Sequence, residues 1–307
     1  MSARVLPLRT PADSRRGQGW KRRFERWCAL VEACTRKPSR RRVHSLRAET
    51  LRLQAGLDPM VHSGVLSTPS QRLVRRWIRV ARRVRRLLAP IRDTDVCLEI
   101  LKTFRSPGAV EAAAESPDAC DYLHAIQALE SALRARRKAS GRQMVRVLKA
   151  RLFRITDSAR SLGKGLDGAD GAHCDSRAAL QALMDELAAA APTLTPAGLH
   201  SFRKLAKKGR YLAEFMPHPD AWTQEADSTC RSIQRAVGQW RDWAALARFA
   251  RRNVRGAGPV LTRQLACTAS RLLQEALCQC RQPIPGPAER TRRQPVRRYV
   301  RVARRPA

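Results

Sequence analysis

Apolar residues recur at three- and four-residue steps along most of the chain, the spacing that gives an α-helix one buried face. The pattern starts near Trp20 and extends to about residue 162, with interruptions at Pro38 and Pro90. It returns at about residue 176, stops at Pro192 and continues in three further segments to about residue 282. No segment alternates between apolar and polar residues as a half-buried β-strand does. We therefore predict an all-α protein.

A glycine-rich run divides this helical pattern into two halves. It occupies residues 163–175, and the composition of GKGLDGADGA is typical of a linker. We predict one helical bundle over residues 20–162 and a second over residues 176–282, each of about four helices. Residues 1–19 have no periodicity and are predicted to form a flexible arm. Residues 283–307 mix prolines with arginines and are predicted to form a disordered basic tail.

The segment 71–88 has the most one-sided distribution of charge in the chain. Its arginines fit a stripe about 120° wide on a helical wheel, and apolar residues fill the opposite arc. No acidic residue is present to form an i,i+4 ion pair, so the stripe repels itself by roughly a few tenths of a kcal/mol per pair. Its members are Arg72, Arg75, Arg76, Arg79, Arg82, Arg83 and Arg86.

Other predicted helices also carry basic faces. Segment 198–216 has five cations and a histidine on one side, with only Glu214 to offset them. The helix after Pro38 presents His44 and Arg47 on its polar side, and the predicted helix near residue 137 carries two adjacent cations. A face of this composition calls for an anionic partner.

The whole-chain charge points to the same class of partner. Lys and Arg total 61 against 26 Asp and Glu, which gives a net charge of +35 and an isoelectric point near 11.5. Such an excess favours a polyanion, namely nucleic acid, inorganic polyphosphate or an anionic membrane surface. Aromatic residues make up only 5% of the chain, which argues mildly against single-stranded nucleic acid.

The lack of a recognisable signal peptide or membrane span and the spacing of the cysteines predict a cytoplasmic location. The amino-terminal residues lack the apolar run of a signal peptide, and no stretch of about 18 apolar residues is present, so we expect neither secretion nor a membrane span. The nine cysteines lack the spacing of metal or redox motifs, and we expect them to be reduced and mostly buried.

An internal repeat relates the two halves. VHSLR at 43–47 corresponds to LHSFR at 199–203, and APIRDTDV at 89–96 corresponds to GQWRDWAA at 238–245. We therefore predict two pseudo-symmetric four-helix bundles whose basic faces converge on one shared cavity.

These repeated segments carry a resemblance to the CHAD family of histidine-bearing α-helical domains. The second half matches the family pattern His-x-x-Arg-x-x-x-(Lys/Arg)-(Lys/Arg)-x-Arg-Tyr-x-x-Glu from His200 to Glu214. The first half matches at His44, Arg47, Arg52, Arg92, Asp93, Asp95 and Val96, with Leu51 and Gln54 in place of basic residues.

The resemblance implies two four-helix bundles around a basic cavity that binds inorganic polyphosphate. The absence of recognisable catalytic motifs predicts a non-catalytic protein. Targeting of the protein to polyphosphate granules is a further hypothesis. No cofactor or metal is expected. Combined with the basic stripes, the resemblance suggests polyphosphate-binding residues on every strongly basic helix. The candidates are His44, Arg47, Arg52, Arg75, Arg76, Arg79, Arg82, Arg83, Arg86, Arg137, Lys138, His200, Arg203, Lys204, Lys207, Lys208 and Arg210.

Alternatives remain at this point. The same faces suit a general nucleic-acid or ribosome-associated protein, and a phosphoryl-transfer enzyme is a third class, although no P-loop or nucleophile-elbow motif is present. Asp93 and Asp95 resemble half of a metal site, but carboxylates beside an arginine more often form salt bridges. His44 and His200 are expected to be neutral hydrogen-bond donors, because nearby cations disfavour the imidazolium.

Overall fold

The computed structural model describes residues 19–62, 66–105, 119–167, 176–216, 219–254 and 259–286. All regular secondary structure in these ranges is α-helical, which confirms the predicted fold class. In chain order the helices are α1 (Trp20–Arg36), α2 (Arg40–His62), α3 (Thr68–Thr103), α4 (Ala119–Asp167), α5 (Ser176–Ala190), α6 (Leu199–Ala213), α7 (Ala221–Asn253) and α8 (Pro259–Cys280).

The buried side chains form three apolar cores instead of the two that two bundles would give. One core lies among α1, α2, the first part of α3 and the last part of α4, around Trp27 and Trp77. A second lies among α5, α6, the first part of α7 and the end of α8, around Phe202. The third joins the far ends of α3 and α4 to those of α7 and α8, with Leu101 and Leu261 in one cluster. The long helices therefore pack the two halves of the chain against each other through this third core.

Two predicted interruptions are helical in the structure, and packing explains both. Pro90 lies inside α3, where buried Leu88 and Ile91 continue the apolar face on either side of it. The first five residues of the predicted linker belong to α4. Gly163 lets α4 approach α1 closely, since a Cβ there would lie 3.2 Å from the Cα of Lys21, and Leu166 is fully buried. The remaining linker residues, 168–175, lie outside the described residues.

The terminal predictions fall mostly outside the described residues as well. The predicted arm is described only at residue 19 and the predicted tail only at 283–286, which is not helical. Among the described cysteines, five are buried and only Cys267 and Cys278 are exposed, as expected for structural thiols. None of the described helices is long and apolar enough to cross a membrane.

The repeated segments of the two halves lie against each other. Helix α2 packs on α6, and α3 packs on α7. The chain after α6 strengthens this junction, because Phe215 stacks on Trp20 of α1 with 5.6 Å between ring centroids. Gly56 of α2 lies directly against that ring. The polar faces of α2, α3, α6 and α7 consequently meet in the middle of the molecule.

Candidate anion-binding cavity

A cavity of about 700 Å³ lies where these four helices meet. Its wall contains ten arginines and lysines but only five aspartates and glutamates, which leaves five positive charges unbalanced. The cations are Arg23, Arg47, Arg52, Arg92, Arg203, Lys207, Arg210, Arg231, Arg241 and Arg248, and the anions are Glu49, Asp93, Glu214, Asp227 and Asp242.

Helix α6 contributes a stripe of side chains because of its residue spacing. Arg203, Lys207, Arg210 and Glu214 follow each other at three- or four-residue steps and therefore share one side of the helix. Phe202 and Ala206 occupy the opposite side and are buried in the second core. Burial of this apolar side fixes the orientation of the helix and turns the cations towards α2 and α3.

Glu214 is the centre of an ion-pair network at one end of the cavity. It accepts a hydrogen bond from Nε of Arg52 at 2.6 Å and one from Nη2 of Arg210 at 3.3 Å. Nη2 of Arg231 lies 3.7 Å from the same carboxylate. Since these cations come from three different helices, the network holds α2, α6 and α7 together.

Tyr211 provides a second support for the same cations. The ring is buried and lies 4.5 Å from Cζ of Arg210, 5.7 Å from Cζ of Arg52 and 5.9 Å from Nζ of Lys207. A cation held over an aromatic face is stabilised by the quadrupole of the ring. Tyr211 of the second-half motif therefore helps to stabilise the crowded positive charge.

Some cations of the wall have no acidic partner within the described residues. Arg47, Arg203 and Lys207 have no carboxylate within ion-pair distance in this part of the chain, and Arg47 donates only to the carbonyl of Arg85 at 3.2 Å. Nε of Arg203 is buried without a hydrogen-bond partner. A buried donor without an acceptor is unusual in native proteins, and an anion in the cavity would satisfy it.

The pKa values of these groups show the strain of the crowded charge. Desolvation, together with the charges of Arg203, Arg47 and Arg210, lowers the pKa of Lys207 to about 7. Desolvation is also the main cause that lowers the pKa of Arg203. An anion bound nearby favours the charged forms of both groups, and it would restore the proton of Lys207.

The two motif histidines occupy different environments. His44 lines the cavity, and desolvation and the charges of Arg92 and Lys207 lower its pKa. His200 lies outside the cavity wall, where its Nδ1 is 3.0 Å from Nη1 of Arg241. Desolvation and Arg241 lower the pKa of His200 as well. Because arginine only donates, Nδ1 of His200 must be the acceptor and Nε2 carries the proton. Both directions agree with the neutral imidazoles expected from the sequence.

The cavity brings together six of the predicted binding residues and excludes the others. Those in its wall are His44, Arg47, Arg52, Arg203, Lys207 and Arg210. Exposed His200 and Lys204 lie outside the wall, and Lys208 instead pairs with Asp58 at 3.2 Å. Arg137 and Lys138 line a separate shallow groove on α4.

The arginine stripe of α3 does not converge on the cavity either. All six of its members that were predicted to bind, and Arg72 with them, are exposed on the outer side of the first bundle. The amphipathic pattern correctly separated these residues from the core. It could not show that the cavity lies beside a later turn of the same helix, at Ala89, Arg92 and Asp93.

Several cavity residues escaped the sequence-based prediction of binding residues. They are Arg23, Arg92, Arg231, Arg241 and Arg248. The repeat offered a signal for two of them, because it aligns Arg92 with Arg241, but neither residue belongs to a long basic stripe.

The paired carboxylates of α3 are engaged with arginines, as the salt-bridge interpretation predicts. Asp95 accepts hydrogen bonds from Arg137, and Asp93 lies 3.2 Å from Nη1 of Arg92. Within the described ranges, no group of three or more His, Cys, Asp or Glu side chains is arranged to hold a metal ion.

Comparison with known proteins places this architecture in a family. The model of the CHAD domain matches residues 18–251, which include the whole cavity wall, and the chain therefore belongs to the CHAD domain family. No curated protein and no solved structure matches the chain significantly. Membership in this family is consistent with binding related to polyphosphate.

Proposed function

We propose that this protein binds inorganic polyphosphate in the cavity between its two halves, without chemical conversion of the bound chain. The observation that carries the proposal is the set of wall cations that have no acidic partner among the described residues, which includes Arg47, Arg203 and Lys207. A ligand that relieves their mutual repulsion must be anionic.

The distribution of the cations favours a chain of phosphates over a single phosphate ion. The wall cations without an acidic partner among the described residues lie on α2, α6 and α7, and Arg92 of α3 lies beside them. One guanidinium group can donate hydrogen bonds to two phosphate oxygens at once. Several arginines around one cavity therefore suit a ligand with repeated phosphoryl groups. Membership in the CHAD family favours inorganic polyphosphate as that ligand.

A nucleic-acid duplex fits the cavity poorly. Because a duplex is broader than its own major groove, which is about 12 Å wide, it does not fit into a cavity of about 700 Å³. The cavity therefore does not favour the duplex form of the general nucleic-acid or ribosome-associated alternative.

Neutralising the cavity cations tests the proposal. Arg203→Gln/Lys207→Met removes the Arg203 charge and the amine that polyphosphate would protonate, and we expect polyphosphate affinity at physiological salt to fall about a hundredfold. The matched control, Lys204→Met/Arg235→Gln, removes two exposed charges from α6 and α7 and is expected to bind within about threefold of the wild type. Equal losses in both variants would show that binding depends only on total charge.

Two further measurements address catalysis and location. Incubation of the purified protein with polyphosphate and Mg²⁺ is expected to release no phosphate. Sustained release of phosphate would show that the protein is a phosphoryl-transfer enzyme and not a binding protein.

We also propose that the bound chain associates the protein with polyphosphate granules. Isolated granules should then retain the wild type and lose the Arg203→Gln/Lys207→Met variant.

A further inference from the structure

The outer surface of α3 carries the densest unpaired positive charge among the described residues. Seven arginines are exposed there, and none of them forms an ion pair or hydrogen bond within the described part of the chain. We call this surface the outer arginine face. It consists of Arg72, Arg75, Arg76, Arg79, Arg82, Arg83 and Arg86.

The outer arginine face extends onto the neighbouring helix. Helices α3 and α4 run antiparallel, because Arg137 contacts Asp95 at one end and Gly165 lies against Leu73 at the other. Exposed Arg151 and Arg154 of α4 therefore lie about level with residues 82–84 of α3. Both arginines also lack an acidic partner within the described residues.

The seven arginines of α3 form three rows along the helix axis. Residues seven apart nearly superimpose on a helical wheel, so Arg75 and Arg82 form one row and Arg76 and Arg83 another. The two rows diverge by about 100° around the axis, with the remaining three arginines between them. A helix of this kind presents charge in two directions, towards two separate lines of anions.

The dimensions of the face correspond to duplex DNA. The B-DNA major groove is about 12 Å wide and admits an α-helix, with a phosphate strand along each edge. From Arg72 to Arg86 the face is about 21 Å long at 1.5 Å per residue. A duplex carries one phosphate charge per about 1.7 Å, which gives roughly a dozen phosphates over that length.

From this geometry we infer a second polyanion site: duplex DNA docks on the outer arginine face with its phosphate strands along the two diverging arginine rows. The site is separate from the cavity and is independent of the proposed polyphosphate function. Contacts to phosphates carry no base information, so the binding does not depend on DNA sequence.

Other polyanions fit the outer arginine face less well. A single polyphosphate chain can follow only one row at a time. A flat anionic membrane faces mainly the central row, and the apolar side of α3 that would enter the interface is buried in the core. Double-stranded RNA has a deep, narrow major groove that does not admit a helix.

Fluorescence anisotropy with a labelled 20-base-pair DNA duplex tests the inference on the full chain. In Arg75→Gln/Arg76→Gln/Arg82→Gln/Arg83→Gln we expect affinity to fall at least tenfold and the slope of log K against log salt to decrease by about 3 to 4. The matched control removes four exposed arginines of α7 and α8, as Arg235→Gln/Arg251→Gln/Arg252→Gln/Arg263→Gln, and should change affinity less than threefold. The corresponding lysine variant at 75, 76, 82 and 83 should retain most of the salt slope, which separates charge from folding.

Three results would overturn the inference. The first is an equal loss of DNA affinity in the α3 variant and the control. The second is equal binding of a 20-base-pair RNA duplex. The third is binding of anionic vesicles that depends on the same four arginines as strongly as DNA binding does. These results would not affect the proposal that polyphosphate binds in the cavity, because the two sites use different residues. The cavity variant Arg203→Gln/Lys207→Met is accordingly expected to bind DNA like the wild type.

Discussion

Arg92 of α3 and Asp242 of α7 form a two-pronged ion pair across the centre of the molecule, with Nη1–Oδ1 at 2.7 Å and Nη2–Oδ2 at 2.9 Å. The repeat aligns Arg92 with Arg241 and Asp93 with Asp242. The pair therefore joins repeated segments of the two halves. The reciprocal pair is not formed, since Arg241 contacts His200 and Asp93 contacts Arg92. This asymmetry leaves Arg241 as a cation of the cavity wall.

A double-mutant cycle measures how strongly this pair joins the halves. With side-chain exposures of 27% and 21%, the two groups are partly desolvated, and we expect a coupling free energy of about 1 to 3 kcal/mol between Arg92→Gln and Asp242→Asn. The measurement is denaturant unfolding of the wild type, both single variants and the double variant. Additive effects within about 0.5 kcal/mol would show that the ion pair does not link the halves.

Asp242→Asn should have a second effect that a purely structural change would not produce. It removes a carboxylate from the cavity and leaves Arg92 with Asp93 as its remaining acidic partner, so polyphosphate affinity should be unchanged or higher even though the protein is less stable. Weaker polyphosphate binding in a folded Asp242→Asn variant would contradict this account of the wall.

Lys207 should make the wild type more stable as the pH rises. Its pKa is about 7 in the folded protein against the ordinary 10.5, so between these values the unfolded chain holds a proton that the folded chain has lost. Stability therefore increases with pH over that window, and the cost of the buried charge is greatest below pH 7. Lys207→Met removes this cost and should stabilise the protein by at least about 1 kcal/mol at pH 6, with a smaller gain at pH 9.

The exposed neighbour Lys204 provides the control for this measurement. Urea unfolding of Lys204→Met at the same two pH values is expected to differ little from that of the wild type. A destabilised Lys207→Met variant at pH 6 would mean that the amine makes a favourable buried interaction.

Polyphosphate binding should be accompanied by proton uptake above pH 7. Bound phosphates favour the charged amine and raise the pKa of Lys207, so the complex holds a proton that the free protein has partly released. Affinity should consequently fall as the pH increases from 7 to 9. Calorimetric titration in buffers of different ionisation enthalpy measures this uptake, and its absence, or equal uptake by Lys207→Met, would exclude Lys207 as the titrating group.

The helices and half of the cationic residues of the cavity wall could be predicted from local sequence patterns. A helix that buries an apolar face shows this in the spacing of its own apolar residues, without information from the rest of the chain. The α6 motif placed Arg203, Lys207 and Arg210 on one side of a helix, and the structure confirms that arrangement. Arg231 and Arg248 had no comparable signal, because their roles depend on how α7 packs against three other helices.

The outer arginine face shows the limit of the same argument. The period of α3 determines which side leaves the core, but only the arrangement of neighbouring helices decides whether that side meets a cavity or the solvent. The sequence pattern predicts that helices end at Pro90 and Gly163, because proline and glycine both disfavour the helical conformation. Tertiary packing overrides that preference at both positions.

Gly56 is required by the junction between the halves. A Cβ at this position would lie 2.6 Å from Cζ of Phe215 and 2.9 Å from Cη2 of Trp20, and the Phe215 ring is also covered by Arg23. Gly56→Ala should therefore destabilise the protein by about 1 to 3 kcal/mol despite the better helix propensity of alanine.

Gly141 is the matched control for this prediction. It also lies inside a helix, but a Cβ there would meet only Cγ of Pro38, at 3.9 Å. Gly141→Ala should stabilise the protein by up to about 1 kcal/mol. Thermal unfolding of both variants makes the comparison, and a stabilising Gly56→Ala would show that the Phe215 contact is dispensable.

Chemical labelling of Lys207 tests most directly whether polyphosphate lies in the cavity. Because its pKa is about 7, its amine is largely deprotonated at pH 7.5 and should react with an amine-selective reagent faster than exposed Lys204 or Lys138 does. Saturating polyphosphate is predicted to slow labelling of Lys207 at least tenfold, as measured by peptide mass spectrometry, and to slow the two exposed lysines much less. Labelling of Lys207 at the same rate with and without saturating polyphosphate would contradict the proposed site.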